Sequence, residues 1–193
     1  MTERQGSLQY LHVVPAPDHA SQPPEPASFA ATYRAEVAQV WRCLRRLGVA
    51  DADLEDKVHD VFVIAYRRWA DYDAARPARP WLAGIALRVA SDYRRAAPRR
   101  RECTRELSEA VDPRSLPDAA VAERQARELV LAALEALDED RRAVFVLHEL
   151  EGYSVPEIAT IVSAPLNTLY SRLRLAREDF AAAVRRCGVR GCP

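Results

Sequence analysis

Between Ser154 and Asp179 two apolar stripes of helical spacing are separated only by Ser163-Ala164-Pro165. Ser154 and Glu157 make a capping-box pattern, which satisfies N–H groups at a helix start. Val155, Ile158, Ala159 and Val162 extend it at i, i+3, i+4 and i+7, the spacing of one buried helical face. Pro165 suits the first position of a second helix, where a missing N–H costs nothing. Leu166, Leu169, Leu173, Ala176 and Phe180 supply that helix with its expected buried stripe, over Pro165–Asp179. The other face carries Asn167, Thr168, Tyr170, Ser171, Arg172, Arg174 and Arg177, with no acid before Glu178. Amide, hydroxyl and guanidinium groups are those that meet base edges and phosphates. A capped helix pair occurs in many bundles, but a solvated face usually mixes charge signs. The segment therefore reads as a helix-turn-helix whose second helix offers those seven residues to DNA.

The rest of the chain's 193 residues organises around this unit. Residues 1–27 hold Pro15, Pro17, Pro23, Pro24 and Pro26 without apolar periodicity and read as a disordered leader. Phe29, Tyr33, Val37, Val40, Leu44 and Leu47 then form a helical stripe that stops at Gly48. Leu54, Val58, Val61, Phe62, Ala65 and Trp69 give a second helix over Asp53–Trp69. After a loop bounded by Pro77 and Pro80, Trp81–Arg95 gives a third. These three close into a first domain over 28–96. Residues 97–118, with Pro98, Pro113 and Pro117, read as a flexible linker. A second domain over 119–187 holds a helix through Leu129–Leu137, another capped by Asp138 and closed at Gly152, and the helix-turn-helix; 188–193 is a tail. No segment alternates with period two, so the expected fold is all-α, in two small helical domains.

The net charge is zero, yet it is segregated. Arg88, Arg94, Arg95, Arg99, Arg100 and Arg101 face one acid, Asp92, while acids gather at Asp51–Asp60 and Glu135–Glu151. The arginine run exceeds what a helix C-terminus needs to complement its dipole and suits phosphate contact. Cys43, Cys103, Cys187 and Cys192 form no CxxC pair, and neither a signal peptide nor a membrane span is evident. The expectation is a cytoplasmic protein without membrane insertion, metal or cofactor. His59-Asp60 is the one fragment that suggests an enzyme, a metal-dependent phosphohydrolase, but further ligands are lacking. No catalytic residue is assigned.

Together these segments resemble the extracytoplasmic-function (ECF) group of bacterial sigma factors. DLEDKVHDVFVIAYRRWADYD and RPARPWLAGIALRVASDYRR are similar to sigma region 2. ALEALDEDRRAVFVLHELEGYSVPEIATIVSAPLNTLYSRLRLARED is similar to sigma region 4. The resemblance implies that Asp56, Asp60 and Phe62 would dock on the clamp helices of core RNA polymerase. It implies that Arg76, Arg79, Arg88, Asp92, Arg94 and Arg95 would serve the promoter's −10 element, with the loop Asp73–Arg79 capturing an unstacked base. The helix Pro165–Asp179 would enter the major groove at the −35 element, and an anti-sigma factor would hold the protein inactive. Tyr170 stands where a basic residue is common, which points to thymine-methyl or backbone contact in place of guanine readout. Glycines are common where Ser163 and Asn167 stand. A helix-turn-helix regulator that does not bind polymerase is the alternative, and it would explain only the second domain.

Overall fold

The computed structural model of the chain describes residues 26–73, 75–101 and 118–190. Most of the expected leader and linker lies outside them. Among the described residues the fold is helical throughout, without strands.

The first half is a three-helix unit. Helix α1 spans Pro26–Arg46 and turns Val40, Cys43 and Leu44 inward. It is closed by Gly48 at φ +97, a conformation that L-side chains adopt only at a cost. A second constraint acts at the same glycine: an added Cβ would lie 2.1 Å from Nη1 of Arg142. Helix α2, Leu54–Arg67, is entered and left through short 3-10 turns at Asp51–Asp53 and Trp69–Asp71. Its buried stripe is Leu54, Val58, Val61, Phe62 and Ala65. Helix α3 spans Ala78–Arg101. It runs through Pro98 into the first residues of the segment where the sequence predicts a linker. Edge-to-face aromatic contacts tie α1 to α2 and to the turn that follows it, among them Phe29–Trp69 at 5.2 Å and Tyr33–Phe62 at 4.6 Å.

The second half contains α4 (Asp118–Glu135), α5 (Glu139–Phe145), α6 (Val155–Val162) and α7 (Leu166–Arg190). Asp138 caps α5 by accepting the Arg141 N–H at 2.9 Å. In place of one continuous helix to Leu150, α5 gives way to a π-helical turn, Val146–Leu150. The capping box of α6 is complete: Glu157 N–H donates to Ser154 Oγ at 3.4 Å and Ser154 N–H donates to Glu157 Oε2 at 2.8 Å. The Ser154 hydroxyl, donating to Glu157 Oε2 at 2.6 Å, and then the Ser154 N–H hold the Glu157 carboxyl below its ordinary range. Helix α7 outruns its expected end at Asp179 because burial continues: Phe180 stacks on Phe145 at 4.6 Å and Ala183 is buried. Leu166, assigned by its spacing to the buried stripe, is instead 44% exposed. The stripe begins one turn later, at Leu169, because Leu166 is the first residue after the turn and no described helix covers it.

The two halves share one core. Leu44, Val61, Leu82 and Ala86 belong to the same buried cluster as Leu134, Val144, Leu147, Ile158 and Leu169. Helix α3 supplies the join by packing on α6, with Gly84 set against Ile161.

Two backbone positions give predictions of opposite sign. Gly48→Ala lowers the unfolding free energy by at least about 1 kcal/mol, from the left-handed backbone and the displaced Arg142. Ser163 also has positive φ, at 52°. Ser163→Gly raises stability by roughly 0.5–1 kcal/mol, the relieved strain less the entropy a glycine adds to the unfolded chain. Urea denaturation of the two variants checks both.

Candidate nucleic-acid interface

Helix α7 is oriented by Leu169, Leu173 and Ala176, all buried beneath it against α4, α5 and α6. That anchoring turns Asn167, Tyr170, Ser171 and Arg174 outward, each exposed. Thr168 is exposed as well, on the flank toward α5. The Ser171 hydroxyl donates back to the Asn167 carbonyl at 3.0 Å. The three arginines of the face stand in different situations. Arg172 turns inward to Asp140 of α5, Nη2 to Oδ2 at 2.6 Å, and both are partly buried. Burial raises the Asp140 pKa, although Arg172 opposes the shift. Arg177 reaches Glu149 in the π-helical turn at 2.6 Å. Among the described residues Arg174 pairs with Glu178 on its own helix at 2.7 Å, and both are well exposed. Arg174 is therefore the arginine of the face not tied to another element; Arg172 and Arg177 are fixed to the scaffold.

In the first half, Tyr72 and Trp81 stack at 5.1 Å beside the loop expected to capture a base. Asp73 shapes that loop by accepting the Ala75 N–H at 3.0 Å, and Arg76 pairs with Asp73 at 3.3 Å. Arg88 lies one helical face along from Trp81, and Asp92 and Arg95 continue that face at i+4 and i+7. They sit 3.9 Å apart as an exposed pair, which contributes little stability. Arg94 is not brought to this face: its Cδ lies 3.6 Å from the position of a Cβ on Gly48. Arg79 also turns away, toward Glu151 at 3.6 Å.

On α2, Asp56 is exposed and Asp60 partly so, one turn apart, with Lys57 paired to Asp60. Phe62 does not join them. At 4% exposure it belongs to the core, inside the aromatic contacts with Phe29 and Tyr33. It sits on the Val58–Ala65 stripe that faces α1, as its helical spacing predicts.

The residues that sequence reasoning missed lie at the seam between the halves. Glu151, whose side chain is 2% exposed, accepts from Arg46 of α1 at 2.7 Å and faces Arg79 of α3 at 3.6 Å. Arg46 also donates to the Leu150 carbonyl at 3.1 Å. Arg142, 3% exposed, donates Nε–H to the Leu134 carbonyl at 2.6 Å and Nη1 to the Leu47 carbonyl at 3.4 Å. Burial, aided by Arg94, pulls its guanidinium down to about 10, so it is still charged at neutral pH. Burial also pushes the Cys43 thiol and the Tyr153 phenol up, which keeps both protonated beside Glu151. A charged residue before a turn glycine, Glu151-Gly152, was the only signal in the sequence, and it is a weak one. Above the seam a groove of about 530 Å³ opens between Tyr72, Trp81 and Arg88 on one wall and Thr160 and Ile161 of α6 on the other.

Two family models match the chain: Sigma-70 region 2 over residues 32–100 and Sigma-70, region 4 over residues 127–180. The ECF RNA polymerase sigma-E factor of Escherichia coli strain K12 is 32% identical over 139 residues, covering 67% of this chain and 73% of the relative. The ECF RNA polymerase sigma factor SigL of Mycobacterium tuberculosis is 31% identical over 166 residues, covering 86% and 93%. Among solved structures, CnrH in complex with the cytosolic domain of CnrY matches with a TM-score of 0.62 at 27% identity, over 84% of this chain and 90% of that one. The sigma factor RpoE of Bartonella quintana, in complex with the anti-sigma factor NepR, matches with a TM-score of 0.64. At 17% identity, over 82% of this chain and 97% of that one, it supports the fold.

The seam makes its own prediction. Glu151→Ala leaves Arg46 and Arg79 without their shared carboxylate and destabilises the closed arrangement by about 1–3 kcal/mol, less than a fully buried pair because both arginines are partly exposed. Amide hydrogen exchange in α3 and α6 then quickens while α1 and α2 stay protected.

Proposed function

The chain belongs to the ECF RNA polymerase sigma factors, and we propose that its two halves divide promoter recognition between them. It is a transcription initiation factor. Core polymerase supplies the chemistry, so in this reading the chain carries no catalytic residue and works in the cytoplasm beside the polymerase. No described helix is long and apolar enough to cross a membrane.

The supporting observation is that each matched region presents its own solvent-facing polar surface on a fixed helix. In the region 4 half, α7 offers Asn167, Tyr170 and Arg174 to the major groove at the −35 element, with Thr168 and Ser171 beside them. Arg172 and Arg177 stand beside them, oriented and largely neutralised by Asp140 and Glu149. In the region 2 half, Arg88, Asp92, Arg95 and Arg76 flank the stacked Tyr72–Trp81 pair at the −10 element. Arg79 and Arg94 become available there only if the seam opens. Asp56 and Asp60 are the docking residues for the polymerase clamp helices. A plain helix-turn-helix regulator has no use for the region 2 half, which the comparisons match in full sequence order.

The elements named −10 and −35 lie roughly 85 Å apart along a duplex, at about 3.4 Å per base pair. Helices α3 and α6 touch in this structure. Binding both elements at once therefore requires the halves to part, and the described arrangement is the form that precedes engagement. The Bartonella quintana relative was solved with an anti-sigma factor, and we assign this chain a regulator of that kind.

Transcription reconstituted from purified core polymerase, this chain and genomic fragments tests the proposal. Promoter-dependent initiation is expected. Asp56→Lys with Asp60→Lys lowers core-polymerase binding at least tenfold in a pull-down titration and costs no more than about 1 kcal/mol of stability, because Asp56 is exposed and the Lys57–Asp60 pair is partly so. Absence of initiation on every fragment would overturn the reading.

A further inference from the structure

The first two turns of α7 carry an apolar surface that nothing among the described residues covers. Leu166 is 44% exposed and Tyr170 is 56% exposed. They stand four residues apart, so their side chains are neighbours on one flank of the helix. Leu169, Leu173 and Ala176 lock the opposite face into the core, so the helix cannot roll to bury the pair. The left-handed Ser163 and the Pro165 start fix where α7 begins.

The polar side chains around this pair limit what it can meet. Asn167 lies beside Leu166 and Arg174 lies one turn beyond Tyr170. Arg172 and Arg177 are held by Asp140 and Glu149, which leaves fewer guanidinium groups to read guanine at this end of the helix. A two-residue patch is far below the area that a stable protein interface buries. The N-terminal residues of a recognition helix are, however, those placed against base edges. In the major groove the one apolar feature on any base edge is the C5-methyl of thymine.

We propose that Leu166 and Tyr170 form an apolar ridge that reads thymine methyl groups in the major groove of the upstream promoter element. The proposal rests on the sigma-factor reading above and specifies what its recognition helix selects. Between the thymine-methyl and backbone contacts that Tyr170 alone allows, the exposed Leu166 beside it decides for the methyl, since a leucine has nothing to offer a phosphate. Asn167 and Arg174 then read neighbouring edges, and the ridge contributes by removing apolar surface from water on both sides.

Holoenzyme assembled from core polymerase and the full chain first selects its upstream element from duplexes randomised over that region. Each thymine of the selected element is then replaced singly by deoxyuridine, which deletes the methyl and leaves pairing intact. At one or two positions the affinity falls about fourfold, equivalent to ~0.8 kcal/mol for one methyl-sized group. Leu166→Ala with Tyr170→Ala binds the thymine and uracil duplexes equally, whereas Tyr170→Phe keeps the discrimination because the ring carries it. Both positions are exposed, so the variants fold, and circular dichroism checks that they do. A wild-type holoenzyme indifferent to uracil at every position, or a double alanine variant that still discriminates, overturns the ridge and leaves the sigma-factor reading standing. If no element is selected at all, both readings fall.

Discussion

A carboxylate taken out of water has to be met by cations and donors, or the fold around it loses several kcal/mol. Glu151 is such a group, and the groups that meet it belong to the other half of the molecule. Arg46 comes from α1 and Arg79 from the start of α3. Arg142 repeats the arrangement in reverse, lending a region 4 guanidinium to the carbonyl of Leu47 at the end of α1. Gly48 has no side chain at the point where that guanidinium passes. Apolar contact through α3 and α6 supplies area, but area alone has little orientation. The buried charges give the seam a single register, and the groove beside Trp81, the inward turn of Arg79 and the placement of Arg94 all follow from it.

The same economy governs the DNA-facing surface. A recognition helix rich in arginine on a chain of zero net charge has to keep those charges from binding every phosphate it meets. Here Asp140 and Glu149, both outside α7, hold Arg172 and Arg177 in place. The pairs orient the guanidiniums and reduce the free positive potential. Nonspecific affinity falls with each neutralised cation, and discrimination passes to groups that read edges.

Much of this was legible in the sequence because local rules and burial agreed. The Ser154–Glu157 capping box, the Asp138 cap, the glycine stop after Leu47 and the stripes of α1 to α3 each obeyed one periodicity, and the resemblance to sigma regions 2 and 4 rested on the same segments. The misses fall where tertiary contact overrides spacing. Leu166 fits the stripe arithmetic of α7, but no described helix lies above its first turn. Helix α7 passes Asp179 because Phe145 waits for Phe180, a partner 35 positions away in sequence that no window reveals. The π-helical turn at Val146–Leu150 left no pattern to read. Glu151 could not be paired from sequence at all, since its cations lie more than seventy positions upstream.

The seam is closed between halves that belong to one chain, and this changes the strength it requires. Two detached domains at micromolar concentration would need a dissociation constant near micromolar to stay together, about 8 kcal/mol of association. A tether holds them at an effective concentration in the millimolar range, where about 4 kcal/mol closes the pair half the time. One buried carboxylate shared by two arginines, with a modest apolar contact behind it, is strength of that order. The covalent connection thus makes a weak joint sufficient, and under the proposed function a weak joint is one that polymerase and promoter together would open without a separate input of energy.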